Sequence, residues 1–138
     1  MAFEESIRSI TMVSDDTLAI RTGVAGAPGS PTDNAGNQYR GVKVTGSRTV
    51  GLATGTGDLC IGVLQNKPQV TGEAATVAIR GVSKVRAAGA VAAGAIVYLT
   101  ADGRGSATGT AGTTTQLGIA ITAAAGANEL FPVLLQVN

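Results

Sequence analysis

At 138 residues the chain has the length of one ordinary domain, enough to bury a core without a disulfide or metal staple. Ten Lys and Arg against nine Asp and Glu leave a formal net charge of +1, so no strong field exists to gather nucleic acid, an anionic membrane or an acidic substrate. There is no histidine, which excludes Ser-His-Asp and Cys-His catalysis, and the lone Cys60 excludes both an intramolecular disulfide and a thiolate metal cluster.

The opening MAFEESIRSITMV has early acidic residues and no apolar stretch of signal-peptide length. No run anywhere reaches bilayer-spanning length, so the sequence reads as a soluble chain made inside a cell. Ile10 and Met12, then Leu18 and Ile20, keep a period of two around Ser14-Asp15-Asp16, which predicts a hairpin or a pair of edge strands. Residues 23–38 come next, with Pro28, Pro31 and several glycines and almost nothing to bury. They read as a long loop or arm that becomes ordered only against something else, or as a linker within one domain.

Residues 39–50 alternate Val42 and Val44 against Lys43 and Thr45, the pattern of a half-exposed strand. The stretch LCIGVL at 59–64 is apolar at both parities and reads as a central strand entered from a glycine-rich turn. Pro68 cannot donate a ladder hydrogen bond, so residues 65–72 form a shaped, exposed loop before the next strand at 75–80. After Gly81, residues 82–87 place Val85 and Ala87 on one side and Lys84 and Arg86 on the other. Alanine favours helix in AAGAVAAG, but Gly89 and Gly94 each cost about 1 kcal/mol there, so 88–95 reads as turn and strand resumes at Ile96. Asp102-Gly103 predicts a two-residue hairpin turn. A small, polar run comes after it, then alternation at Leu117, Ile119 and Ile121, and a last strand with Phe131, Val133, Leu135 and Val137 on one parity.

The chemistry available is sparse. Cys60 sits among Leu59 and Ile61, where a buried thiol has a raised pKa and is inert. Asp15, Asp16 and Asp102 fall in turns where carboxylates cap backbone amides, and no calcium-loop spacing links the acids. TGTGDL at 54–59 lacks the Gly-Lys-Ser/Thr ending of a phosphate loop. Arg80, Lys84 and Arg86 fit one exposed basic ribbon, yet with aromatics at only 3% there are no stacking platforms for single strands of nucleic acid, and a partner protein's acidic groups match it better. No catalytic residue, cofactor site or metal site is expected, and no enzyme activity.

Residues 55–137 resemble the small tailed-phage proteins that decorate or cement capsids. The resemblance rests on Gly62-Val63-Leu64, the Gly81-Val82 step, the small-residue turn from Ala88 to Gly94, Val97-Tyr98, Asp102-Gly103, Gly118-Ile119-Ala120 and the apolar end from Gly126 to Val137. It implies a small all-β body, tulip-like or barrel-like, and leaves residues 1–50 unmatched; the expected organisation is a β-rich domain over residues 39–138 and, from the composition, an N-terminal arm and irregular segment over residues 1–38. It further implies a virion location on the outer surface of the head, binding to the major capsid protein, and a homo-oligomer, most simply a trimer, that bridges shell subunits. A tail-tube or fibre-associated protein shares the Gly, Ala and Thr bias and is the alternative; a carbohydrate-binding module would need aromatic platforms or a polar groove. Candidate interface residues are Phe3, Ile7, Ile10, Pro28, Pro31, Tyr39, Lys67, Arg80, Lys84 and Arg86. Loss of residues 1–22 is expected to weaken capsid binding more than folding, and loss of 131–138 to prevent folding.

Overall fold

The computed structural model describes residues 8–18, 36–55, 57–110 and 113–136. These residues form strands, turns and loops with no helix among them. Strands β1 (Arg8–Ser14), β2 (Gly41–Gly46), β3 (Thr49–Leu52), β4 (Cys60–Leu64) and β5 (Ala74–Arg80) close into a barrel in the order β1-β3-β2-β4-β5. Strands β6 (Val82–Arg86), β7 (Ile96–Leu99), β8 (Gly105–Ser106), β9 (Gln116–Ala120) and β10 (Leu130–Leu135) make a second sheet in the order β6-β10-β9-β7-β8. The chain is therefore all-β with a closed barrel, as the alternation and the family resemblance led one to expect. Gly81, at φ 95°, is the single residue between the two bodies, in a conformation that L side chains rarely adopt.

Two apolar clusters hold the molecule. Leu18, Val42, Val50, Leu64 and Val77 pack together in the barrel's own core. Val85, Val97, Leu117, Phe131 and Val133 of the second sheet pack with Val63 and Ala78 of the barrel wall. Neighbouring residues of β4 and β5 thus serve different cores: Leu64 and Val77 the first, Val63 and Ala78 the second. This is why 59–64 reads as apolar at both parities, and burial of each such Val or Leu is worth about 1.5–3 kcal/mol. Where backbones must come close, glycine is required. A Cβ on Gly62 would collide with the Ala78 carbonyl oxygen, and one on Gly118 would collide with that of Leu134.

Several local expectations hold. Residues 82–87 bury Val85 and Ala87 and expose Lys84, residues 88–95 are turn and bridge rather than helix, and Phe131, Val133 and Leu135 form a buried row in β10; Val137 lies outside the described residues. Pro132 is accommodated because its carbonyl accepts from the Ile121 amide just past the end of β9, so its missing N–H falls where that neighbour's ladder has ended.

Others are corrected. The hairpin or pair of edge strands expected around Ser14-Asp15-Asp16 is replaced, for its first half, by long-range pairing: β1 pairs antiparallel with β5 and, through Val13 and Ser14, parallel with β3, while Ile20 lies outside the described residues. Residues 16–18 are a turn that carries Leu18 into the barrel core. Part of the stretch read as an arm is thus a stave of the barrel, since sequence periodicity cannot tell a near partner from a distant one. Val44 is exposed although Val42 is buried and the β2–β3 register is regular between them, so parity alone does not set burial toward the end of β2. Asp102-Gly103 belongs to a three-residue loop, not a two-residue one. Thr100 donates its amide to the Arg104 carbonyl, Gly103 donates to the Thr100 carbonyl, and of the two only Gly103 has positive φ.

Candidate functional site

The large apolar side chains at the surface are the groups that burial in the fold leaves unexplained. Leu59 is the most exposed of these at 83%, followed by Val44 at 52%. Sequence parity assigns both to buried rows. Leu59 precedes β4, and the β2–β4 pairing, in which Val42 faces Gly62 but Lys43 faces Cys60, breaks strict alternation at the start of that strand. The signal in the sequence is Gly57-Asp58, turn residues immediately before Leu59, which weaken any inference from the parity of the residues after them.

Leu59 stands on a tied base. The Lys43 ammonium is 3.0 Å from each Asp58 carboxylate oxygen. The Thr54 amide donates to the same carboxylate at 2.6 Å and the Thr54 hydroxyl donates to it as well, while the Thr115 hydroxyl donates to the Asp58 carbonyl at 2.8 Å. The Thr54 hydroxyl bond is the largest influence on the Asp58 carboxyl; with the Thr54 amide and Lys43 it outweighs partial burial and holds the group below its ordinary value. One shallow groove runs from Leu59 to Thr114 and Gln116, and another from Leu59 to Val44 and Ile61. The result is an exposed apolar side chain between two grooves, on a backbone tied through Asp58.

The candidate interface residues are spread over the molecule. Phe3, Ile7, Pro28 and Pro31 lie outside the described residues. Ile10 is exposed on β1, opposite Val77. Tyr39 is a joint: at φ 65° it donates its amide to the Leu64 carbonyl in the barrel and accepts from the Arg86 amide in the second sheet. Lys67 is exposed in the loop after β4, whose Pro68 is buried and whose Asn66 side chain accepts from the Thr76 amide and donates to the Ala74 carbonyl, extending the pairing with β5. Arg80 ends β5 in the barrel, while Lys84 and Arg86 belong to β6 in the second sheet. Arg80 and Lys84 are exposed and Arg86 is half-buried, so the three are not one exposed ribbon.

Asp15, Asp102 and Cys60 are held by contacts within the fold. The Asp15 carboxylate accepts from the Thr17 amide and from the Thr45 hydroxyl. Burial of Asp102 works to raise its pKa, but the Thr100 hydroxyl, Arg104 and Arg40 together hold the carboxyl below its ordinary value. Cys60 is buried, and desolvation pushes its thiol up to about 11, as the reading of an inert cysteine required.

The sequence matches the family described as phage cement protein over residues 31–135, from before β2 to the end of β10. The chain belongs to the phage cement protein family. No curated protein matches it. Membership gives this cement protein a structural role associated with the capsid of a bacteriophage.

Proposed function

We propose that this cement protein binds the outer surface of a phage head, bridges neighbouring major capsid subunits and so stabilises the shell, working by assembly rather than by catalysis. The observation that carries the reading is the family match across both β bodies. The exposed Leu59 supports it, because an apolar side chain between grooves, next to the hydrogen-bonded Asp58, is suited to seat against another protein's surface. The low share of charged residues, 14%, supports burial of further surface against copies of the same chain, with a homotrimer as the proposed assembly.

Mixing the purified protein with undecorated heads and imaging them by cryo-electron microscopy tests the reading. Density on the outside of the shell, touching more than one capsid subunit, is the expected result. Heads that remain bare at saturating protein, with the protein found on tails, would replace it with the tail-associated alternative. Analytical ultracentrifugation of the free protein tests the trimer separately, because a monomer that assembles only on the head leaves shell binding intact.

A further inference from the structure

Arg8 and Arg80 are register partners across the antiparallel β1–β5 pair, and both are exposed. The register shifts between Arg8 and Ser9, so the pair sits at an irregularity at the end of the ladder, and like charges on paired residues disfavour the pairing. Among the described residues neither arginine makes an ion pair with a carboxylate, unlike Arg40, Lys43 and Arg104. The two arginines are thus paired across the strands with no carboxylate of the described residues between them.

The surroundings add a second requirement. Arg80 lines a groove between the barrel and the second sheet together with Ile61, Ile79, Leu134 and Gln136. Ile61, Ile79 and Leu134 are half-buried, so the groove offers apolar surface beside the cationic pair. A carboxylate accepts forked hydrogen bonds from guanidinium groups, and an apolar neighbour in the same segment would cover the groove.

We propose that Arg8 and Arg80 together receive a carboxylate from an acidic segment of a partner protein, with an apolar residue of that segment entering the groove. The inference rests on the shell-binding reading and names one chemistry that the shell surface must supply: an Asp or Glu flanked by an apolar side chain. In the free protein the pair is mutually repulsive, and the partner's carboxylate removes that repulsion. Stability and binding therefore respond to the same substitution in opposite directions.

The test compares wild type, Arg80→Glu and Arg8→Gln in thermal melts of the free protein and in co-sedimentation with undecorated heads. Arg80→Glu sets opposite charges across the strands and should raise the melting temperature by about 1–4 °C, while weakening head binding about tenfold and flattening its salt dependence. Arg8→Gln should move both quantities the same way, by less. Wild-type binding with unchanged binding of both variants overturns the proposal and leaves the shell reading standing, whereas no wild-type binding removes the shell reading and the proposal with it. A melting temperature that falls in both variants overturns the repulsive pair. Retention of a DNA duplex by wild type at physiological salt, lost in the variants, would assign the pair to nucleic acid and overturn the acidic-segment proposal.

Discussion

The Lys43 ammonium stands 3.0 Å from both carboxylate oxygens of Asp58, and Leu59, the next residue, is 83% exposed. Lys43 is on β2 and Asp58 lies just before β4, so the ion pair ties the residue before Leu59 to the neighbouring strand. Leu59→Asp should leave the urea midpoint almost unchanged, as exposed substitutions shift stability by only about 0.5 kcal/mol, yet weaken co-sedimentation with heads about tenfold or more. Asp58→Ala should do the reverse in proportion. It strands the Lys43 and Thr54 donors and costs about 1–3 kcal/mol, and it weakens binding by loosening the backbone before Leu59. Unchanged binding by Leu59→Asp would remove Leu59 from the contact.

Acid should destabilise the protein through Asp58 and Asp102. Both carboxyls lie below their ordinary value in the fold, so the unfolded chain, with an aspartate pKa of about 3.9, takes up protons first as the pH falls. Their contribution is fully present above about pH 4 and is lost as the pH falls through the lower folded values. Thermal melts between pH 6 and pH 2 should be level at first and then decline below about pH 4. Asp58→Asn should reduce the steepness of that decline. An equally steep decline in this variant would take Asp58 out of the acid transition.

The range of each interaction decides whether the sequence reveals it. The apolar run that becomes β4 from Cys60, the β6 alternation of Val85 with Lys84, and the Phe131, Val133, Leu135 row are local patterns, and these appear in the fold, although Leu59 lies outside the strand and is exposed. The strand partners are not local. β1 meets β5 some sixty-odd positions later in the chain, and no spacing within 6–22 could distinguish this from a hairpin. The exposure of Leu59 was hidden for a related reason: the slip that lets Lys43 face Cys60 is a property of two strands together, whereas parity is a property of one. Arg80 was legible as an exposed cation, but its meeting with Arg8 depends on the same long-range pairing.

Barrel closure through β1 changes the expected effect of truncation. β1 occupies the place between β5 and β3, and Leu18 is fully buried in the barrel core. Deleting residues 1–18 removes a stave and a core leucine, opens two edges and should abolish the cooperative melt; loss of the leucine alone is worth about 2–5 kcal/mol. Deleting residues 1–7 leaves β1 in place and asks about Phe3 and Ile7 alone. We expect that shorter deletion to keep a cooperative melt and to reduce head binding. Binding equal to wild type would end the proposed role of those two residues. Deleting 131–138 should also abolish the melt, because Phe131 and Val133 are buried in the second core.

Cys60 supplies an alkaline counterpart to the acid transition. Its side chain is buried at the start of β4, and desolvation raises its thiol from 9.0 to about 11. A raised pKa on a group that is neutral when protonated means that the fold favours the thiol, so its contribution is fully present below the unfolded pKa. Between pH 9 and 11 the unfolded chain ionises first, and the contribution is lost as the pH approaches the folded value. The urea midpoint of wild type should therefore fall more between pH 8 and pH 10.5 than that of Cys60→Ala, which has no thiol to ionise. Every other ionisable group is common to both proteins and cancels in the comparison. Iodoacetamide should agree: at pH 8 it should modify Cys60 slowly in the native protein and rapidly in urea, because only the exposed chain offers an accessible thiolate. Parallel pH dependence in the two proteins, or rapid native alkylation, would show that Cys60 is not held as a buried thiol.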